Sequence, residues 1–196
     1  MKKERTRQVI AETALRLFTE RGYEHTTIEE IASQAEVGTR TLYRYYPTKE
    51  DLVVGTTRPG LRHLVDGLRA RPDDEPLPRA LHAILTRFCY ILTAERERGL
   101  VLRELIESVP SVRARVYDEI GHTRADLARE IRRRLGSPRG DPTPELAAGV
   151  VMVVVDLAVV TWAAGRRSPQ RVVEEAIELL SSGAVPVPAA DVHGPG

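Results

Sequence analysis

Cysteine is nearly absent from this chain of 196 residues, in which Cys89 stands alone. A single thiol excludes an internal disulfide and any zinc site built from several cysteines, and it suits a reducing cytoplasm. Cys89 itself reads as a small buried apolar residue rather than a reactive thiol. Aromatic residues are also scarce, at 5%, so the positions of the six tyrosines carry information. Strand-like alternation bounded by turn residues is missing throughout, and no internal repeat recurs. The N-terminus, MKKERTRQVI, is basic but lacks the apolar stretch of a signal peptide. No glycine-rich phosphate loop, H-E-x-x-H or cysteine–histidine cluster occurs. His25, His63, His82, His122 and His193 are scattered without ligand spacing, and "DDE" at 73–75 sits between prolines, where it reads as solvated charge. The sequence therefore predicts no enzyme, no metal site and no cofactor.

What is present is the composition of an ordinary soluble globular protein, 42% hydrophobic and 29% charged, long enough for one domain or two. The formal net charge is only +1, but its distribution is uneven. Within residues 1–52 most bases fall at the extreme N-terminus and in the 40–49 window, with most acids between them. Such segregation can present one positive face despite a neutral total.

Helical periodicity runs through the chain. Ile10, Ala14, Leu17 and Phe18 define a first helix from about residue 4 to Arg21, ended by Gly22. Thr26, Thr27, Ile28 and Glu29 predict a capping box, with Glu29 reaching back, and Ile28, Ile31, Ala32 and Ala35 then face the core. The pattern breaks at Glu36, Val37 and Gly38 and resumes over 39–46, which describes a helix-turn-helix. Pro47 stops that helix, and Thr48 with Asp51 caps a fourth running to about Arg71. Residues 71–78 read as a linker, and further helices are expected near 78–97, 99–108, 112–135, 144–165 and 169–182. Thr143 and Ser168 are expected as N-caps before prolines, 136–144 as a loop, and 183–196 as a disordered tail.

The stretch 147–164 approaches the length of a membrane span, but Asp156 near its centre would cost roughly 2.5 to 3.5 kcal/mol in lipid. A helix sandwiched inside protein is the better reading, and no membrane is expected. Small residues at Gly149, Ala158 and Ala163 suit close packing on two sides, one toward a partner subunit. The next helix, with Val172, Val173, Ala176, Ile177 and Leu180, would join it in a four-helix contact of a homodimer.

The window 39–46, TRTLYRYY, splits on a helical wheel of about 100° per residue. Leu42 and Tyr46 form a docking edge, while Thr39, Arg40, Tyr43 and Arg44 share a polar, cationic arc. Arginine pairs with guanine edges, threonine with bases or thymine methyls, and tyrosine hydroxyls with phosphates, so this face fits a major groove. A solvated amphipathic helix is the competing reading.

The segment "TTIEEIASQAEV" at 26–37, followed by Thr41, Leu42, Tyr43, Arg44, Tyr45, Tyr46, Pro47, Thr48 and Lys49, resembles the TetR family of bacterial transcriptional regulators over about residues 5 to 52. Glu36 stands where that family usually has glycine, and Tyr46 where it usually has phenylalanine. The resemblance implies an all-α fold, with a three-helix DNA-binding domain at 1–52, a helical ligand-binding and dimerisation domain at 53–182, and a tail at 183–196. It implies base or groove contacts from Thr39, Arg40, Thr41 and Arg44, and phosphate contacts from Thr27, Tyr43, Tyr45 and Lys49. Lys2, Lys3, Arg5 and Arg7 would form an arm along the DNA, or simply a solvated charged tail.

The implied partners are an operator in double-stranded DNA, an unidentified small-molecule inducer and a second copy of the chain. A pocket for the inducer would draw on Phe88, Leu92, Leu105, Tyr117, Met152 and Trp162, each of which also suits plain core. Asp156 has three candidate roles: a ligand anchor, a pair with an arginine across the dimer, or a water-facing carboxylate. A helical adaptor for protein contacts, or a DNA-binding regulator without a ligand, is the alternative function.

Overall fold

The computed structural model describes residues 2–186 and consists there of nine α-helices. They are α1 (Lys2–Arg21), α2 (Ile28–Gln34), α3 (Thr39–Tyr45), α4 (Lys49–Arg69), α5 (Leu77–Ala94), α6 (Arg96–Ser108), α7 (Pro110–Leu135), α8 (Thr143–Ala163) and α9 (Pro169–Ser181). The all-α expectation holds. Of the expected tail at 183–196, residues 187–196 lie outside the described residues, as does His193.

Local chemistry sets the helix ends. The capping box of α2 is Thr27 with Glu30, one residue later than the expected pairing with Glu29. The Glu30 amide donates to Thr27 Oγ1 at 3.2 Å, and the Thr27 amide donates to the Glu30 carboxylate at 2.9 Å. Thr26 instead points inward and donates its hydroxyl to the carbonyls of Gly22 (2.9 Å) and Leu17 (3.3 Å). The Thr48 and Asp51 box forms as expected. Ser168 caps α9, but Thr143 is not a cap: α8 begins at Thr143 itself, whose amide donates to Asp141 Oδ1 at 2.9 Å. The turn between α4 and α5 is pinned by Arg134, which donates to the carbonyls of Leu68 (3.2 Å) and Arg71 (3.1 Å), where the helix dipole favours a cation.

Two side-chain clusters form the interior. One gathers α1, α2, α3 and the first turns of α4, including Ile10, Leu17, Ile31, Leu42, Leu52 and Val54, together with Leu102, Leu105, Val112 and Val116 from α6 and α7. The other gathers Leu61, Leu64 and Leu68 of α4 with α5, the second half of α7, α8 and α9. The α4 rod thus contributes Leu52, Val53 and Val54 to one core and Leu61 onward to the other. Pro59 lies between, inside the helix. Its missing N–H leaves the Gly55 carbonyl without its helical donor. Cys89 is buried, and burial pushes its thiol up to about 11, as suits a packing residue.

The tight turn after α2 explains the departure at Glu36. Val37 donates to the Ala32 carbonyl at 2.9 Å and Glu36 to that of Ser33 at 3.1 Å, a Schellman closure that needs a left-handed residue between them. Glu36 occupies it at φ 53°, the one positive-φ residue other than glycine among the described residues. A left-handed L-residue costs about 1 to 2 kcal/mol, partly offset by the greater chain entropy of glycine. Glu36→Gly is therefore expected to stabilise the fold by about 0.5 to 1 kcal/mol and raise Tm by roughly 1 to 4 °C in a thermal melt. An unchanged or lower Tm would show that the turn carries no strain.

Candidate nucleic-acid interface and ligand cavity

On α3 the wheel resolves as expected. Leu42 is fully buried, and Tyr46, just past the last turn, is 4% exposed. The Tyr46 hydroxyl donates to the Arg7 carbonyl at 3.1 Å, tying the end of α3 to α1. Its ring presses on α4 at Gly55, where a Cβ would lie 2.5 Å from Tyr46 Cε1. Arg40, Tyr43 and Arg44 project outward as exposed side chains, while Thr39, Thr41 and Tyr45 are half-buried. Arg44 and Arg7 stack on the ring of Tyr45, at 5.4 Å and 5.9 Å from its centroid. Neither Arg40 nor Arg44 has a carboxylate partner among the described residues, so both guanidiniums keep their donors free.

The remaining members of the expected contact set surround this face. Thr27 is exposed at the start of α2 with its hydroxyl engaged by Glu30. Lys49 opens α4 with its ammonium 4.3 Å above the Tyr23 ring and 5.8 Å from that of Phe18, and burial lowers its pKa. The bases expected as an arm belong instead to α1, because the helix extends forward to Lys2; Lys3 and Arg5 are exposed there and Arg7 is half-buried.

A cavity of about 600 Å³ opens among α1, α4, α5, α6, α7 and α8. That volume lies within the range of small-molecule sites. Phe88, Leu92, Tyr117, Met152 and Asp156 all line it. Leu105 does not: it is buried between α6 and the N-terminal core. Trp162 also lies elsewhere, packed over Gly99 so closely that a Cβ there would sit 2.7 Å from its ring. Asp156 is exposed, not sequestered, because α8 is buried along one side only.

α4 walls the cavity further than its sequence indicates. Residues 55–63 contribute a continuous stretch, and Tyr46 and Arg7 also line it. Proline and glycine inside the helix were the available signal. Three polar ties cross this region. Arg58 grips Glu119 of α7 in a fork at 2.8 and 2.9 Å, which holds the Glu119 carboxyl below its usual range. Arg98 of α6 donates to the Thr56 carbonyl at 3.0 Å. Arg115 of α7 reaches Asp51 at 2.8 Å, the same carboxylate that caps α4.

α8 is long and apolar enough to span a bilayer by length and composition. Its inner side, including Val151, Val155 and Ala158, packs in the chain's own core. Its outer side carries Leu146, Val150, Val153, Leu157 and Val160, with Leu146 and Val153 each 67% exposed. Of the α9 stripe expected at a subunit contact, Val172, Val173 and Ala176 face inward and Ile177 is half-buried, while Leu180, with its neighbour Leu179, is exposed.

The family model "Bacterial regulatory proteins, tetR family" matches residues 10–55, and the model "MftR C-terminal domain" matches residues 75–185. The regulator TcmR of Streptomyces glaucescens is 30% identical over 141 residues, covering 67% of this chain and 61% of that protein. HbdR of Aromatoleum sp. (strain CIB), also an HTH-type transcriptional regulator, is 31% identical over 130 residues, covering 63% and 53%. The chain thus spans between half and two thirds of the length of these relatives. Among solved structures, Thermus thermophilus FadR in complex with lauroyl-CoA superposes with a TM-score of 0.60 at 24% identity, covering 96% of this chain and all of that one.

Proposed function

Because this chain belongs to the TetR family of bacterial regulatory proteins, we propose that it is a cytoplasmic, homodimeric repressor that grips an operator through α3 and is released by a small molecule bound in the α4–α8 cavity. The observation that carries this reading is the division of α3. Leu42 and Tyr46 fix the segment to the body, while Arg40, Tyr43 and Arg44 stand clear of it. Thr39, Arg40, Thr41 and Arg44 read base edges, and Thr27, Tyr43, Tyr45 and Lys49 hold phosphates. Residues 1–52 act as the DNA-binding part and 53–182 as the dimerisation and ligand part.

The outer side of α8 is the subunit contact. Leu146, Val150, Val153 and Leu157 recur at steps of four, three and four, the spacing of an apolar seam that a second helix covers. A twofold mate supplies that cover and sets two recognition segments about 34 to 36 Å apart, one turn of DNA. Val153→Glu is expected to convert the dimer to monomers in native mass measurements and to lower operator affinity with it. A dimer that survives this substitution would place the subunit contact elsewhere.

The ligand is an amphipathic molecule. The cavity lining is largely apolar, through Leu61, Phe88, Ile91, Leu102, Met152 and Val155, and it also carries charged groups of both signs, among them Arg58, Arg62 and Arg98 with Glu4, Asp66, Glu95 and Asp156. The lauroyl-CoA bound by Thermus thermophilus FadR supports this class. An occupant would touch α4 beside Pro59 and the two residues, Tyr46 and Arg7, that hold the recognition segment. It releases DNA if it binds the DNA-free arrangement better than the bound one. The test is to select an operator from random DNA and titrate acyl-chain ligands against the dimer with and without it. By reciprocity, equal ligand affinity in both cases removes the inducer role.

A further inference from the structure

The end of α8, the turn after it and the α5–α6 junction border a second, open recess of about 400 Å³. Thr93, Arg96, Trp162, Arg166, Arg167 and Ser168 line it, and no carboxylate does. Several arginines of this chain that reach between helices are matched to acids, as Arg58 is to Glu119, Arg115 to Asp51 and Arg132 to Glu145. Two arginines that line this recess have no such match. The Arg166 side chain has no hydrogen-bonding or ionic partner among the described residues. Arg96 only stacks its guanidinium on Trp162 at 5.4 Å, which leaves its N–H donors free. The neighbouring Glu95 is taken by Arg98, and Arg167 is neutralised by Glu175.

The turn that carries Arg166 is fixed by its backbone. Gly165 closes α8 in a left-handed turn at φ 67°, the Arg166 amide donates to the Thr161 carbonyl at 3.3 Å, and Ser168 caps α9 two residues later. Arg166 and Arg167 therefore sit in a short, hydrogen-bonded turn. We propose that this recess binds a phosphate group, with the guanidiniums of Arg96 and Arg166 as its charged ligands. Two unneutralised planar forks around one hollow match the charge and the several oxygens of a phosphate better than those of a single carboxylate.

Trp162 joins this recess to the cavity. Its ring lines the recess on one side and packs against Gly99 on the other, while Gly99 and Leu92 line the cavity. The phosphate could be free or could be the head group of the amphipathic ligand in the cavity. The second source rests on the ligand reading above.

Trp162 is the chain's one tryptophan, so its emission reports on the shared wall. The full chain and the Arg96→Gln/Arg166→Gln variant would be titrated with inorganic pyrophosphate, laurate and lauroyl-CoA at fixed ionic strength, with acetate as the control. Pyrophosphate should shift the emission saturably, and the variant should need at least tenfold more of it. If the head group is the source, lauroyl-CoA binds at least tenfold tighter than laurate, and the variant loses that advantage while keeping its laurate affinity. If pyrophosphate binds but lauroyl-CoA has no advantage, the phosphate is free. Pyrophosphate and lauroyl-CoA affinities that are both indifferent to the two arginines overturn the phosphate site, even where laurate fills the cavity. Arginine-dependent pyrophosphate binding without laurate binding leaves the site standing and removes the cavity reading. Loss of the dimer in the variant's native mass would assign these arginines to the subunit contact and overturn the proposal.

Discussion

Replacing Arg40 and Arg44 together by alanine is expected to cut affinity for the preferred operator by about 2 to 6 kcal/mol, roughly 30-fold to 20,000-fold. Each guanidinium reaches outward from α3 with no acid to neutralise it, so each is available for a bidentate pair with guanine. Removal leaves the docking side untouched, since Leu42 and Tyr46 lie on the opposite edge. The fold should therefore survive, with an unchanged melt. Anisotropy titrations on the selected operator and on scrambled DNA, at several salt concentrations, give the test. Loss confined to the operator supports base reading. Equal loss on both sequences, with the salt slope falling by about two, would make these arginines phosphate contacts only.

Leu42→Ala should act through the opposite edge of the same helix and is expected to cost about 2 to 5 kcal/mol of stability. Leu42 is fully buried in the core with Ile10, Leu17 and Ile31, and truncation there removes apolar burial and leaves a cavity. For a domain whose total stability is of order 5 to 15 kcal/mol, that loss is severe. Its signature should be a lowered Tm and weaker binding to every DNA sequence alike. Tyr46→Phe serves as the mild comparison, because it removes only the hydroxyl bond to the Arg7 carbonyl, about 1 kcal/mol. A Leu42→Ala protein with wild-type stability would contradict the docking role.

Much of this arrangement is legible in the residues. The periodicity of Leu42 and Tyr46 located the docking edge, and proline, glycine and threonine marked most helix ends. The α2 cap was one residue out because "TTIEE" satisfies the threonine-to-glutamate spacing twice, as Thr26 to Glu29 and as Thr27 to Glu30. Only tertiary structure breaks the tie, by giving the Thr26 hydroxyl the Leu17 and Gly22 carbonyls. The cavity was harder to read, because it is defined by what packing leaves unfilled. Leu92 and Leu105 look alike on a wheel, yet one lines the cavity and the other fills a core. Three roles stand open for Asp156 in the sequence because its neighbours are apolar, and apolar residues on α8 face both the interior and the exterior.

The contact between Tyr46 and Gly55 restricts what these two positions can become. A side chain at 55 would overlap the phenol ring, whose place is fixed by its bond to α1 and by the packing around it. Enlargement at one site must be accompanied by contraction at the other. Sequences that keep this architecture should therefore vary at 46 and 55 as a pair, so the tolerance of either position depends on the residue at the other.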